Sequence, residues 1–282
     1  MNRNVKQALA FATLWALTGL VVLVLVAVLG FILVQGIGTL SWEFLTSMPS
    51  AGMTAGGILP AIVGTLAITL CAITFAFPVG IISGIYMAEY APEGRFKTFI
   101  ELMTNNLAGI PSIIFGLFGM TLFVVTLGFG DSILAGGLTL ALMVLPVIIR
   151  TTEEALRGVP QDIRLASIAM GANQMQTIWR VVLPVAFPRI ITGLILSIGR
   201  VAGETAPILF TVAAYYLPRL PSSAFDQVMA LPYHLYVIST SGTDLIALRP
   251  MAYGTALVLM LLISAMNLIA NYIRRRYTKI NQ

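Results

Sequence analysis

The chain has 282 residues, 58% of them hydrophobic and only 10% charged, with a net charge of +5 and a mean hydropathy of +0.94. Soluble domains carry about 25% charged residues, so the composition excludes an ordinary soluble enzyme or binding module and indicates an integral membrane protein. The single cysteine, Cys71, excludes a disulfide framework, and the single histidine, His234, is too isolated to build a metal site.

No charged residue occurs between Lys6 and Glu43, between Glu43 and Glu89, between Glu101 and Asp131, or between Arg249 and Arg274. A helix crosses the hydrocarbon core with roughly 20 apolar residues. These gaps and their neighbours predict six spans, over 9–34, 58–87, 98–127, 135–149, 188–214 and 251–272. The first run is too long for the apolar region of a signal peptide, and no small-residue cleavage site follows it, so it is expected to be a retained span. Pro78 and Pro111 are expected to kink the second and third spans. Gly109, Gly116 and Gly119 read as close-packing positions, and the scattered methionines as filler. Thr104, Asn105, Asn106 and Ser112 are polar residues near the third span, suited either to lining a path or to holding helices together.

Lys and Arg accumulate on the cytoplasmic side of a membrane. With the N-terminus inside, the inner set is Arg3, Lys6, Arg95, Lys97, Arg150, Arg157, Arg164, Arg180, Arg189, Arg274, Arg275, Arg276 and Lys279, against Arg219 and Arg249 outside. Both termini are therefore expected to be cytoplasmic, and the basic pI marks orientation rather than nucleic-acid binding. Two outer segments follow, 35–57 and 215–250, the second holding Pro218, Pro221, His234 and Asp244. A structureless loop of that length is uncommon, so short helices are expected within it, one of them over 231–236 at the membrane interface, where Tyr is favoured.

The polar, basic stretch 157–189 stands out between apolar runs. It reads as two short helices joined by a turn. Pro160 and Asp162 suit the start of the first, and Gly171 its left-handed end. Asn173 and Gln176 suit a capping box on the second. Leu165, Ile168 and Ala169 share one helical face, the pattern of a docking knob. Periodicity alone equally allows a plain surface loop or a helix lying on lipid headgroups.

The spacing adds more. Leu165-Ala166-Ser167, Gly171 and Val181-Val182-Leu183-Pro184 resemble the EAA loop of ABC importer permeases, in which Glu-Ala-Ala is followed by three residues, Gly, nine residues and Ile-x-Leu-Pro. The departure is Leu165, where that family usually has an acid. Asn106-Leu-Ala-Gly-Ile-Pro-Ser-Ile-Ile-Phe-Gly-Leu-Phe-Gly119, Gly158-Val-Pro160 and Gly203-Glu-Thr-Ala-Pro-Ile-Leu-Phe-Thr211 are similar to segments of phosphate-importer permeases, the last pointing to the PstA-type subunit over its PstC-type partner.

That resemblance implies an all-α polytopic membrane protein with the type I ABC importer permease (MetI-like) fold. It implies a first tail, span and outer segment over 1–56, a permease core over 57–273 with its coupling loop at 157–189, and a basic cytoplasmic tail over 274–282. It implies a PstC-type second permease, two copies of a PstB-type cytoplasmic ATPase and an external PstS-type phosphate-binding protein, in the cytoplasmic (inner) membrane of a bacterium. Leu165, Ala166, Ser167, Gly171, Leu183 and Pro184 would make the ATPase contact. No G-x-x-x-x-G-K-[ST] loop occurs, so no cofactor is expected in this chain, ATP and Mg being bound by the ATPase.

Arg200 and Glu204 fall well inside the fifth span, four residues apart on one helical face. An isolated Arg at mid-bilayer costs roughly 2.5–3.5 kcal/mol on insertion scales, so such a residue marks a substrate path by default, or else a self-neutralising pair that fixes packing. A guanidinium matches the oxygens of an oxyanion such as phosphate. Arg200, Glu204, Asn105, Asn106 and Ser112 are thus the candidate path residues. The rival readings are a permease for molybdate, sulfate or phosphonate, a secondary transporter or channel needing no ATPase, and an intramembrane enzyme. The absence of H-E-x-x-H and G-x-S-x-G motifs counts against the last.

Overall fold

The computed structural model describes residues 3–241 and 245–280. Asp244 and the side chains of Arg3, Lys6 and Lys279, used above for topology, lie outside the described residues. Helix α1 (Arg3–Gly36) is apolar nearly all round, which suits a span facing lipid. Its end meets the last helix of the chain: Gly36 abuts Tyr253, and the Phe31 ring stands edge-on to Tyr253 at 5.6 Å. Ser41 then caps α2 (Trp42–Thr46) by accepting from the Phe44 amide at 3.0 Å. A short antiparallel pair, β1 (Pro49–Ser50) and β2 (Ala55–Gly56), completes the segment.

Helix α3 (Leu59–Ile85) carries Pro78 inside it and runs on as a π-helical turn over Tyr86–Tyr90. The expected third span, 98–127, is not one rod. Helix α4 (Arg95–Ala108) and α5 (Ser112–Gly119), which continues as π-helix Met120–Thr126, meet at 101°. Pro111 is the cause: it lacks an amide hydrogen and drives the residue before it out of the helical region. Gly109 accordingly sits at the break, with only the Asn106 carbonyl near it, and is not the packing glycine expected.

Helix α6 (Ile133–Arg157), capped by Ser132, is the centre of the fold and runs eight residues past its expected end at 149. The extension is sustained by ion pairs: buried Glu153 lies 2.7 Å from Arg157 and 3.1 Å from Arg150. After α7 (Gln161–Ala169), helix α8 (Gln174–Thr177) leads through π turns Ile178–Val182 into α9 (Leu183–Gly203). The second loop helix is therefore the first turn of the fifth span, not a separate element. That span also stops at Gly203 rather than at 214. Pro207 explains the stop, since its ring would clash with the Gly203 carbonyl in a continued helix. The chain turns extended at Glu204 and resumes as α10 (Ala206–Leu209). Helix α11 (Leu231–Thr240) forms where one was expected, but Leu231, His234, Val237 and Ile238 are buried, so it is packed into the protein rather than laid upon it. Helix α12 (Leu245–Ile280) exceeds the predicted 251–272 at both ends.

Among the described residues, five helices are long and apolar enough to cross a membrane, or up to six with the bent α4–α5 pair. Their backbones approach closely through small residues, as membrane helices do. Gly80 and Gly84 on α3 meet Ile148 and Thr152 on α6, Gly193 on α9 meets Thr151, and Gly119 meets Thr139. Gly116 abuts Ala206 and Pro207 and so seats α5 on α10. Thr65, Thr69 and Thr139 return their hydroxyls to carbonyls four residues back, which satisfies them in apolar surroundings.

Candidate functional site

Loop 157–189 is an ordered hairpin of helices. Pro160 is the residue before α7 rather than its first, and Asp162 lies in the first turn. Gly171 has φ +87°, a left-handed turn that costs a side-chain-bearing residue about 1–2 kcal/mol. The Asn173–Gln176 capping box is complete, with bonds of 2.8 and 3.0 Å, and Ser167 bonds Thr177 across the hairpin at 2.9 Å. The outward face is apolar: Leu165, Ile168, Met175 and Met170 are exposed, Met170 at 88%. Ala166 is exposed as well, whereas Leu183 and Pro184 lie half-buried in the helix that leaves the loop. An ordered apolar knob of this kind is a surface built to be covered.

Two residues passed over as site residues in the sequence fix this knob. Arg164 Nη1 lies 2.8 and 2.7 Å from the two carboxylate oxygens of Glu89, and Nη2 donates to the Leu156 carbonyl at 2.7 Å. The Glu89 side chain is only 8% exposed, and its backbone carbonyl accepts from Gln174 Nε2 at 3.1 Å. Glu89 thus ties both loop helices to the end of α3. The signal for it was present: it is the acid that closes the second long uncharged gap.

The second cluster lies where α9 breaks. Arg200 and Glu204 do pair, although Glu204 is one residue past the helix, but loosely: Nε to Oε1 is 3.4 Å, beyond the usual N–H···O range. Arg200 remains 41% exposed, and its terminal nitrogens bond nothing among the described residues. Glu204 also borders a small cavity of about 10 Å³ with Thr65, Thr69 and Ala202, room for about one water. Beside Gly199, on α12, sits the carboxamide of Asn267, whose buried oxygen has no hydrogen-bond partner among the described residues. Asn267 is a polar group in the bilayer-grade stretch of α12 that sequence reading missed. Asn105 and Asn106 are exposed at the end of α4, and Ser112 is half-buried at the start of α5. No hydrogen bond among the described residues joins these three to Arg200 or Glu204. They are related only through the seating of α5 on α10, just past Glu204.

Comparison with known proteins shows the family of the chain. The family described as binding-protein-dependent transport system inner membrane component matches residues 76–279. The chain belongs to that family. Among its relatives, the probable ABC transporter permease protein YqgI of Bacillus subtilis (strain 168) is 34% identical over 97% of this chain and 96% of its own. Phosphate transport system permease protein PstA 1 of Mycobacterium tuberculosis is 40% identical over 78% of this chain and 71% of its own. A probable PstA of Methanocaldococcus jannaschii is 33% identical over 93% and 92%. The fold of this inner-membrane family member is likewise that of solved ABC importer permeases. A chain of a bacterial alginate ABC transporter superposes with TM-score 0.70 at 15% identity, over 97% of this chain and 96% of that one. A chain of the MetNI methionine ABC transporter in inward-facing conformations gives 0.64 at 21% identity, over 78% and 95%. The chain is thus a multi-pass, all-α type I importer permease with one minor β pair. Its EAA-like loop and all three segments read as phosphate-permease-like fall inside the matched region.

Proposed function

We propose that this chain is the PstA-type permease subunit of an ATP-driven importer of inorganic phosphate. In this reading residues 57–273 form the permease core, both termini are cytoplasmic, and a PstC-type permease completes the path. Each permease seats its loop in one of two PstB-type ATPase subunits, which bind ATP and Mg, and an external PstS-type protein delivers phosphate. Leu165, Ala166, Ser167, Gly171, Leu183 and Pro184 serve ATPase coupling. Leu165 lacks the carboxylate of the usual motif and contacts the ATPase through apolar surface instead.

The observation that carries the phosphate reading is Arg200, a loosely held, part-exposed guanidinium in the last turn of a helix long and apolar enough to cross a membrane, in a chain whose relatives include named phosphate transport permeases. A guanidinium offers donors in a plane that matches phosphate oxygens. Glu204 holds that guanidinium in the empty state and yields it as the anion arrives. Asn267 supplies a further polar group beside it, and Asn105, Asn106 and Ser112 line the approach from the broken α4–α5 span.

The test is reconstitution in liposomes with the ATPase, the second permease and the binding protein, followed by labelled phosphate uptake. ATP-dependent uptake is expected, and Arg200→Gln is expected to lower it at least about tenfold, the loss of a charge-assisted contact of about 1.5 kcal/mol or more, with the complex still assembled. Absence of ATP-dependent uptake from an intact wild-type complex overturns the function. Normal uptake by Arg200→Gln overturns the role of that residue.

A further inference from the structure

A second concentration of positive charge lies away from both clusters. At the loop-side ends of α9 and α12 an open cleft of about 1060 Å³ is lined by Pro188, Arg189, Thr192, Tyr272 and the run Arg274–Arg276. Arg274 is tied across the cleft to Thr192 Oγ1 at 2.9 Å, which holds the two helices together there. Among the described residues Arg189 makes one long hydrogen bond, donating to the Gly158 carbonyl at 3.4 Å. No carboxylate among the described residues is within ion-pair distance of Arg189, Arg275 or Arg276. An adjoining cavity of about 310 Å³ shares Arg189 and Thr192 and brings one acid, Glu154. Arg189, Arg275 and Arg276, without an ion-pair partner among the described residues, therefore stand near a single carboxylate.

The walls above this charge are apolar. Leu196 is exposed on α9 and lines the adjoining cavity. On α12, Leu268 and Ile269 are exposed, and at helical spacing they stack over Tyr272, Arg275 and Arg276. Both helices are long and apolar enough to span a membrane, so their polar ends fall where headgroups lie, with Tyr272 placed as an interfacial aromatic. Basic pockets between membrane helices bind phosphodiester headgroups, while the flanking apolar surface takes acyl chains.

We infer that the Arg189–Arg275–Arg276 cleft is a binding site for an anionic phospholipid. Its phosphodiester sits among the guanidinium groups, and its chains run along Leu196, Leu268 and Ile269. The site is separate from the transported anion, since it opens beside the helix ends rather than at the α9 break. The bound lipid bridges α9, which carries Arg200, to α12, which carries Asn267.

The experiment uses the full chain, purified in detergent and titrated with phosphatidylglycerol or phosphatidylcholine, with bound lipid counted by native mass spectrometry. Each basic residue near a charged headgroup contributes about fivefold in affinity. Phosphatidylglycerol is therefore expected to bind the wild type at least about 25-fold tighter than phosphatidylcholine, and Arg275→Gln/Arg276→Gln to remove most of that preference. Arg189→Gln, on the facing helix, is expected to cost about fivefold and gives the same test should the double variant not elute as the wild type does. Orthophosphate at millimolar concentration is expected to leave the lipid bound. Equal affinity for the two lipids, or an unchanged preference in the folded variants, overturns the proposal. So does displacement by orthophosphate, which assigns the cleft to small anions.

Discussion

The contact between Glu89 and Arg164 gives the sharpest test of how the loop acts. Glu89→Gln keeps the shape of the side chain but removes its charge, leaving Arg164 with one neutral acceptor and the Leu156 carbonyl. A charge-assisted hydrogen bond contributes about 1.5–3 kcal/mol, and breaking a fully buried pair costs about 3–5 kcal/mol. Glu89 is nearly buried while Arg164 is about one-fifth exposed, so the loss falls near the lower figures, about 2 kcal/mol. That corresponds to roughly a 30-fold shift in the ratio of docked to undocked loop. ATP hydrolysis and labelled phosphate uptake, followed in the same proteoliposomes, measure the consequence as phosphate moved per ATP split. This ratio is expected to fall about tenfold or more in Glu89→Gln and in Arg164→Gln while hydrolysis persists, because the loop still meets the ATPase but no longer carries α3 with it. The double variant is expected to be little worse than either single one, giving a coupling within the usual 0.5–3 kcal/mol for contacting residues. Fully additive losses, or an unchanged ratio in both single variants, refute the reasoning.

Other residues give independent checks. Gly171→Val places a β-branched residue at φ +87° and is expected to destabilise the hairpin by about 1–2 kcal/mol, read as reduced co-purification of the ATPase; undiminished co-purification contradicts the need for a left-handed turn. Gly84→Leu drives a side chain into Thr152 and the Ile149 carbonyl and is expected to lower stability by about 1–3 kcal/mol, measured as the thermal midpoint of the purified chain. Burial pushes His234 down to about 4, so below about 6.5 the unfolded chain binds a proton that the folded chain refuses. Stability is thus full above about pH 6.5 and declines towards pH 4 by about 3 kcal/mol from this group. His234→Phe is expected to flatten that decline in thermal midpoints, and an unaltered slope shows that other groups cause it.

The loop and the helix count were legible in the sequence because both rest on local rules. Gly171, Asn173 and Gln176 act within one turn of chain, and an apolar run of bilayer length declares itself. What was misread depended on partners distant in sequence or on the reach of a proline. Pro207 ends α9 four residues before itself, so a span judged by hydropathy runs straight through the stop. Pro111 was expected to kink and instead divides a span into two helices at a steep angle. Glu89 and Arg164 are 75 residues apart, and nothing local connects them. Asn267 sits in an apolar stretch with no motif around it, and only the close approach of Gly199 reveals its neighbour.

Taken together, the break at Glu204 and the start of the same helix at Asn173 define one mechanical element. From Gln174 to Gly203 the chain is a continuous helical span of 30 residues, about 45 Å long. Its first turn is the capped second half of the docking knob, and Arg200 stands near its last turn. A tilt of the knob therefore moves Arg200 without any relay of side chains, except for what the π turns at Ile178–Val182 absorb. Gly193 against Thr151 and Gly199 against Asn267 are the close approaches at which this rod bears on α6 and α12. Packed helices slide at such contacts more readily than they deform. The 3.4 Å pair at the far end is loose, as the proposed yielding of Glu204 to an arriving anion requires. The close bonds between Arg164 and Glu89 lie instead at the loop end, the end that the proposed coupling to an ATPase would load.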